Sequence, residues 1–235
     1  MIFKQLFDNK SSTYTYIVSS GRGREALIID PVLEKTLEYL NLLKELDLKL
    51  VKVIDTHIHA DHISGLNELS QNTKCIKVMG EQSESEVIDI KVKENDKIKI
   101  ENIELKVIYT PGHTSCSYSF FMKDRVFTGD TLLINGTGRT DFQNGNAKEQ
   151  YDSIFNKLLK LPEKTFVYPA HDYKGKKFST IENEKKNNPR LQVDSENQYI
   201  EIMNNLKLAD PKMMDIAVSA NKKGFTLKDM TKSIK

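Results

Sequence analysis

All five histidines of this 235-residue chain lie in three short segments. A fourth segment, Gly-Asp-Thr, lies between the second and the third of them. Histidine imidazole and aspartate carboxylate are ligands that iron, zinc and manganese share. The pattern therefore predicts a metal site, and its candidate ligands are His57, His59, Asp61, His62, His113, Asp130 and His171.

The elements that must position these side chains are predicted strands that end just before them. Each of the runs is apolar or alternates apolar with polar residues, which is typical of strands in an α/β protein. The runs and the ligands that they lead to are 50–54 with His57, 103–107 with His113, 125–128 with Asp130, and 166–168 with His171. Strand ends are where α/β proteins place their chemistry, so we expect these ends to converge.

Two helices are predicted beside the first histidine segment. Asp30-Pro31 has the composition of a helix start, with aspartate as N-cap and proline in the first turn. The second helix is predicted to open at residue 63, directly after Asp61 and His62. The apolar face of the first helix is predicted from helical spacing to consist of Leu33, Leu37, Leu40 and Leu43.

Composition excludes several classes of partner. The chain has 35 basic and 33 acidic residues, a net charge of +2, so it has no strong positive field and we expect no nucleic-acid partner. No run approaches the roughly 20 apolar residues of a membrane span, and residues 1–8 lack the apolar core of a signal peptide. Two cysteines, Cys75 and Cys116, cannot form a disulfide framework. We therefore expect a cytoplasmic protein without membrane contact.

The sequence contains no internal repeat or linker, which predicts a single catalytic domain over residues 1–222. The remaining residues, 223–235, are rich in lysine and are predicted to form a solvated tail. The oligomeric state stays open at this level, and a homodimer is compatible with the sequence.

The order and spacing of His57-x-His59-x-Asp61-His62, His113, Asp130 and His171 resemble the metallo-β-lactamase superfamily. The resemblance implies an α/β fold, an αββα sandwich with the metal at one edge of the two sheets. The segments that flank the ligands resemble, more narrowly, the persulfide dioxygenases of the ethylmalonic-encephalopathy-protein type. Those segments are residues 138–145, 168–175, 188–191 and 216–221.

This narrower resemblance implies one Fe(II) per chain, held by His57, His113 and Asp130. Two histidines and one carboxylate on one face of Fe(II) leave positions open for substrate and O₂. The remaining candidates would then hold the ligands and bound waters by hydrogen bonds. The residues alone do not exclude a second metal at those candidates, which are His59, Asp61, His62 and His171.

The implied reaction is oxidation of glutathione persulfide by O₂ to sulfite and glutathione. The carboxylates of glutathione need cations and hydrogen-bond donors, and the candidates in the family-type flanks are Arg139, Tyr173 and Arg190. For Arg139 the competing interpretation is an ion pair with Asp141 or Asp172 that holds its loop.

Two other functions compete with this one. A hydroxyacylglutathione hydrolase of the glyoxalase II type would use two metals to attack a thioester, but that family carries a longer C-terminal helical domain. A non-catalytic metal-binding module is the third interpretation. The chain also departs from the dioxygenase pattern after His113-Thr114, where Ser115-Cys116 replaces the usual Pro-Gly, and Cys116 is predicted to be a small buried residue.

Overall fold

A computed structural model describes residues 1–209 and 213–233. Two compact units are found, and each contains one large β-sheet. The first unit comprises residues 1–92, 98–104 and those after 209, and the second comprises residues 93–97 and 105–209. Among the described residues, none of the helices has both the length and the apolar character needed to cross a bilayer.

The sheet of the first unit has six strands in the order β1-β2-β3-β4-β5-β6. The first three strands pair antiparallel, and β3 to β6 pair parallel. The strand predicted at residues 50–54 is confirmed as β4. The bounds are β1 Ile2–Asp8, β2 Thr13–Ser19, β3 Glu25–Ile29, β4 Lys49–Ile54, β5 Ile76–Gly80 and β6 Ile90–Val92.

Parallel pairing of β3 and β4 places two chain segments side by side. Ile29 lies opposite Ile54, so both strands end at the same edge of the sheet. Both strands are rich in branched aliphatic residues, and Ile28 and Val53 are completely buried, which fixes their register against the core. The residues that follow, Asp30 on one strand and the first histidine segment on the other, therefore emerge next to each other.

The first helix of this unit differs from its prediction. A short 3₁₀ turn at Leu33–Lys35 leads into α1 (Thr36–Glu45). The buried face contains Leu33, Thr36, Tyr39 and Leu43, whereas Leu37 is 68% exposed. The predicted apolar face was thus wrong at Leu37, because the 3₁₀ turn changes which positions of the following helix face the core. The second helix, α2, spans Leu66–Thr73.

The second sheet is also six-stranded, in the order β14-β13-β10-β9-β8-β7, and its strands β8 to β14 lie mainly in the second unit. The strands predicted before His113, Asp130 and His171 are confirmed as β8, β10 and β13. A two-stranded ribbon joins β11 and β12. The bounds are β7 Lys97–Ile100, β8 Ile103–Tyr109, β9 Tyr118–Met122, β10 Arg125–Gly129, β11 Leu132–Leu133, β12 Gly136–Thr137, β13 Phe166–Pro169 and β14 Ser179–Thr180.

Parallel pairing recurs in this unit between β10 and β13. Phe127 lies opposite Tyr168, and Gly129 lies opposite Pro169 after a register shift. The backbone amide of Ala170 donates to Gly129 O over 3.0 Å and continues the pairing beyond the strand end. Asp130 and His171 therefore leave the sheet at the same edge.

Helices of the second unit pack into one apolar cluster against this sheet. The helix α3 (Ala147–Tyr151) begins at Asn146, whose side chain accepts from two backbone amides. It continues through a wider turn at 152–157 and a 3₁₀ turn at 158–160, so this helical segment is irregular. Two further helices are α4 (Ile181–Asn187) and α5 (Glu196–Asn204). The cluster includes Val126, Ile154, Leu158, Val167, Ile181, Tyr199 and Met203.

The chain returns to the first unit through α6 (Met214–Lys223) and α7 (Leu227–Ser233). Ala217 and Ala220 of α6 pack with Leu33 and Ile63, and Met230 of α7 packs against that group. The segment predicted as a solvated tail, 223–235, thus contains a helix in its described part. The proposed boundary at residue 222 stays a prediction.

Candidate metal centre

The first histidine segment forms a buried loop after β4. His57, His59 and His62 are each at most 2% exposed. Their rings lie close together, with centroids 4.2 Å apart for His57 and His59 and 4.3 Å apart for His59 and His62. One possible ligand atom each from His59, Asp61 and His62 lies within 4.8 Å of the others. This half of the predicted set is therefore assembled within the first unit.

The helix predicted at residue 63 begins only at Leu66, because the intervening backbone bonds elsewhere. Leu33 N donates to Ile63 O over 2.8 Å, and Gly65 N donates to Pro31 O over 2.7 Å. A β-bridge also joins Val32 and Ser64. The ligand loop is thus tied to the segment that follows β3, and this tie replaces a first helical turn.

Asp30 is the central hydrogen-bond acceptor of this loop. Its Oδ1 accepts from Thr56 N over 2.7 Å and contacts His59 Nε2 at 3.2 Å, and its Oδ2 accepts from Thr56 Oγ1 over 3.0 Å. The predicted role as a helix N-cap is wrong, since Asp30 has a φ of 52° and the helical turn starts at Leu33. The carboxylate faces the ligand loop instead.

The bonds around Asp30 determine which nitrogen of each histidine carries the proton. A carboxylate only accepts, so His59 donates from Nε2 and keeps a lone pair on Nδ1. Thr56 gives its single hydroxyl proton to Asp30, so its oxygen accepts from His57 Nδ1 over 2.9 Å. His57 therefore keeps a lone pair on Nε2. Ligand histidines in proteins are oriented in this way, with the second nitrogen donating to an acceptor.

The opposite side of the loop is held by Thr13 of β2. His62 Nδ1 lies 3.0 Å from Asp61 Oδ2, and Thr13 Oγ1 donates to the same carboxylate oxygen over 3.2 Å. His62 consequently donates from Nδ1 and keeps its lone pair on Nε2. Asp61 Oδ1 lies 4.0 Å from His59 Nδ1. The lone-pair atoms of His59 and His62 and the carboxylate of Asp61 form a donor set suited to a divalent metal.

Asn221 of α6 secures the backbone of the ligand loop from a distant part of the sequence. Its Nδ2 donates to His59 O and to His62 O, both over 2.9 Å, and its Oδ1 accepts from Ser64 N over 2.8 Å. All of these groups are buried. The amide thus satisfies three buried main-chain groups of one loop, and no pattern in the sequence indicated this contact.

Burial controls the charge of the carboxyl groups behind the loop. Burial raises the pKa of Asp30 to about 6, while the nearby His57 and the bonds from Thr56 lower it. Burial, with the charge of Asp30 added, raises the pKa of Asp55 well above its usual range. At neutral pH Asp30 is therefore mostly ionised, as its role as an acceptor requires, and Asp55 keeps its proton.

In the second unit His113 follows β8 and is fixed by a main-chain carbonyl. Its Nδ1 donates to Arg139 O over 2.8 Å, because a carbonyl oxygen only accepts. Its Nε2 lies 3.6 Å from Asp130 Oδ2. That separation exceeds a hydrogen bond, and both atoms carry lone pairs. Two lone-pair atoms at this distance are spaced like two ligands of one ion, so His113 and Asp130 fit a metal.

Close backbone approach makes this arrangement possible. Gly138 N donates to Asp130 O over 2.8 Å. A Cβ atom at Gly138 would lie 2.2 Å from Asp130 O and 2.7 Å from His113 Nδ1. At Gly112, which has a φ of 130°, a Cβ atom would lie 2.3 Å from the backbone of Gln150. Glycine is therefore required on both sides of the His113 ring.

His171 completes the second unit's share of the predicted set. Its Nδ1 donates to Asp130 Oδ1 over 2.6 Å, which leaves a lone pair on Nε2. The ring of Tyr173 lies almost parallel to the His171 ring, with an angle of 7° and centroids 6.2 Å apart. Asp130 thus faces His113 with one oxygen and holds His171 with the other.

The predicted substrate residues have different surroundings. Arg139 makes a two-pronged ion pair with Asp141, with distances of 2.6 and 2.8 Å, and its Nη1 donates to Ala209 O over 3.0 Å. Arg190 is half-buried and donates from Nη1 to the carbonyl and hydroxyl of Thr137. Tyr173 is 70% exposed. The structure therefore favours the competing, scaffold interpretation of Arg139, and Arg190 also holds the fold.

Cys116, the residue that departs from the dioxygenase pattern, is buried. Its Sγ lies 3.4 Å from Thr114 Oγ1. Thr114 Oγ1 also contacts Ser117 Oγ at 2.7 Å, so the turn after His113 is closed by small polar side chains. This environment agrees with the predicted role of Cys116 as a small packing residue.

Comparisons with known proteins identify the family of the chain. The family model described as metallo-beta-lactamase superfamily matches residues 8–171. The chain belongs to the metallo-beta-lactamase superfamily. A crystal structure of ETHE1 from Myxococcus xanthus superposes with a TM-score of 0.92, with 47% identity over 94% of this chain and 98% of that one. The predicted fold class of this superfamily, an α/β αββα sandwich, is confirmed.

Within the superfamily, sequence identity is higher to persulfide dioxygenases than to hydroxyacylglutathione hydrolases. "Persulfide dioxygenase ETHE1, mitochondrial" from Mus musculus is 44% identical over 224 residues, which cover 94% of this chain and 87% of the relative. A hydroxyacylglutathione hydrolase from Dictyostelium discoideum is 34% identical over 186 residues, which cover 74% and 68%. The predicted resemblance to persulfide dioxygenases is confirmed, and the hydrolases are more distant.

Replacing Asn221 by alanine is expected to destabilise the fold and lower its metal content. The change leaves two carbonyls and one amide of the ligand loop buried without a partner, which costs about 2–4 kcal/mol in the free energy of unfolding. Urea denaturation measures the cost, and elemental analysis measures the metal.

The matched control for Asn221 is Asn67→Ala. Asn67 also ties the C-terminal region to the first unit, through one bond to Gly224 O, without touching the ligand loop. Metal content that falls equally in both variants would show that Asn221 acts through general stability alone.

Replacing Arg139 by alanine is expected to lower the free energy of unfolding by about 1–2 kcal/mol, because a charge-assisted pair is lost. The loop whose carbonyl holds His113 should then relax, and metal content should fall. Asp141→Asn should reproduce the effect. Arg24→Ala is the control, since Arg24 is 65% exposed and 4.0 Å from its partner Glu101. Normal melting with a raised KM would assign Arg139 to the substrate instead.

Proposed function

We propose that this chain is an iron-dependent persulfide dioxygenase that oxidises glutathione persulfide with O₂. The observation that carries the proposal is 44% identity to the mouse persulfide dioxygenase over 94% of this chain. The candidate ligands support it, because His57, His113 and Asp130 follow strand ends and the two histidines are held in a defined tautomer by their neighbours. A cytoplasmic location, as opposed to the mitochondrial one in the name of the mouse relative, is part of the same proposal.

The proposed centre holds one Fe(II) through His57, His113 and Asp130. The chemistry of the donors fits Fe(II), which is commonly bound by two imidazoles and one carboxylate. His57 and His113 each keep a lone pair on Nε2, because Thr56 and the carbonyl of Arg139 take up their other nitrogen. We assign His59, Asp61, His62 and His171 to orienting ligands and waters by hydrogen bonds.

The balanced reaction is RSSH + O₂ + H₂O → RSH + SO₃²⁻ + 2 H⁺. Bound iron would supply the binding and activation of O₂ beside the persulfide sulfur. The terminal sulfur is oxidised, its bond to the inner sulfur breaks, and O₂ is reduced. The protein must accept the released protons. His171 is suited to this task, since Asp130 Oδ1 holds its Nδ1 proton at 2.6 Å and leaves Nε2 basic.

The substrate carrier needs contacts beyond the metal. Arg139 and Arg190, predicted for this role, already bond within the protein. Tyr173 remains our candidate, because it is 70% exposed and lies beside His171. Its hydroxyl is proposed to bond a polar group of the carrier.

A hydroxyacylglutathione hydrolase remains the second candidate, for a specific reason. The donor set of His59, Asp61 and His62 is assembled within the first unit and is suited to a metal of its own. Such a hydrolase would hold two metals and cleave thioesters. Metal stoichiometry therefore separates the two functions.

Freshly purified protein is expected to contain one iron per chain and to take up O₂ when glutathione persulfide is added. Elemental analysis and an oxygen electrode measure these properties, and S-lactoylglutathione serves as the thioester control. Two zinc ions per chain, together with thioester hydrolysis, would overturn the dioxygenase in favour of the hydrolase.

Single substitutions should divide the candidate ligands into residues that bind iron directly and residues that only orient the ligands. His113→Ala and Asp130→Ala each remove a proposed bond to iron and should abolish iron binding. His59→Ala should retain much of it, because loss of an orienting hydrogen bond costs about 10–100-fold in affinity or activity. Titration of the apo-proteins with Fe(II) under anaerobic conditions measures the difference. Equal loss in His59→Ala and His113→Ala contradicts the mononuclear assignment.

A further inference from the structure

The segment that follows His171 and Asp172 in the second unit is a continuous exposed loop. Every residue from Tyr173 to Phe178 is exposed, whereas Asp172 before it and Ser179 after it are buried. Three of the six residues are lysine, in the run Lys174-Gly175-Lys176-Lys177. The net charge of the whole chain is only +2, so this loop, called here the lysine loop, is a marked concentration of positive charge.

Contacts at both ends give the lysine loop a defined shape. Asp172 Oδ2 accepts from Lys174 N over 2.9 Å and from Lys176 N over 2.7 Å. At the other end the Phe178 ring packs on Phe166 and Tyr168, with centroids 5.4 and 5.8 Å apart. The carboxylate that precedes the loop, Asp172, thus binds the loop backbone, which makes the lysine loop a preformed cationic surface.

The lysine loop adjoins the proposed centre. It begins two residues after His171, whose Nδ1 donates to Asp130, and Tyr173 at its start lies flat beside the His171 ring. All three lysines are exposed residues, so they add positive charge to the surface around this point. A substrate with its sulfur near Asp130 would extend past these cations.

The positive charges of the lysine loop could attract anionic groups on the thiol that carries the persulfide sulfur. Glutathione carries two carboxylates and coenzyme A carries phosphates, and both groups lie away from the sulfur. The arginines expected to bind such groups are engaged elsewhere, Arg139 with Asp141 and Arg190 with Thr137. Three exposed lysines close together attract anions of several shapes through their charge, without a fixed two-pronged geometry.

We propose that Lys174, Lys176 and Lys177 form a selectivity surface that favours persulfides carried on anionic thiols. The proposal rests on the proposed dioxygenase function, whose substrate class it specifies. The lysine loop acts on carriers with carboxylate or phosphate groups and gives no advantage to a cationic carrier. Its effect falls with ionic strength, because exposed charges are screened within about 8 Å at physiological salt.

The test compares a triple variant, K174Q/K176Q/K177Q, with a control of equal charge change, K123Q/K160Q/K164Q. The control lysines are exposed residues of the same unit. Lys123 and Lys164 precede β10 and β13, so they lie at the opposite edge of the sheet from Asp130 and His171. Oxygen uptake is measured with the persulfides of glutathione, coenzyme A and cysteamine, at low and high salt, after iron content is shown to be equal.

The triple variant is expected to lose about 5- to 30-fold in kcat/KM for glutathione persulfide at low salt, mainly through KM, as for the loss of electrostatic steering. Coenzyme A persulfide should lose at least as much, and cysteamine persulfide less than about 2-fold. The control variant should match the wild type. Equal losses for anionic and cationic carriers, or equal losses in the control, would overturn the proposal.

Binding of the thiols themselves separates this proposal from the function on which it rests. Calorimetric titration with reduced glutathione and with coenzyme A needs no turnover. Weaker binding in the triple variant alone supports the lysine loop, even if the wild type takes up no O₂ and the dioxygenase function fails. Unchanged binding in the triple variant contradicts the lysine loop, whatever the enzyme oxidises.

Discussion

Parallel pairing of neighbouring strands is the constraint on which both halves of the candidate centre depend. β3 beside β4 brings Asp30 next to the loop of His57 and His59, and β10 beside β13 brings Asp130 next to His171. Paired parallel strands end at the same edge of a sheet, so two residues far apart in sequence leave the sheet next to each other. The buried aliphatic residues that set the register therefore also set the separation between a carboxylate and the imidazole that it orients.

A large part of this arrangement could be predicted from the sequence. The apolar runs before His57, His113, Asp130 and His171 predicted strands that the structure contains, because buried strands leave a strong local signal. The metallo-β-lactamase fold was implied by the resemblance that the order and spacing of the ligands carry. The assignment of iron to a subset of them remains a prediction, since every imidazole has one nitrogen suited to a metal.

The residues that the sequence reasoning missed act through contacts that local patterns do not encode. Asp30 follows a strand just as the ligands do, and applying the same strand-end rule to it would have identified it. The N-cap preference of aspartate was the competing signal, and the tertiary contact with Thr56 overrode it. Asn221 offers no such clue, because its partners lie some 160 positions away and are main-chain atoms. The ion pair of Arg139 with its neighbour Asp141 favours the scaffold interpretation, and its role in substrate binding stays a prediction.

The acceptor that orients His113 is the carbonyl oxygen of residue 139, and every amino acid supplies one. The orientation of this imidazole therefore depends on the path of the main chain and does not depend directly on which side chain residue 139 carries. The acceptor that orients His59 is instead a side-chain oxygen of Asp30, so a substitution at residue 30 removes or moves that acceptor. A substitution at residue 139 therefore acts on His113 only through the path of the loop that the Arg139–Asp141 pair holds, whereas a substitution at residue 30 or at Gly138 acts on the candidate ligands directly.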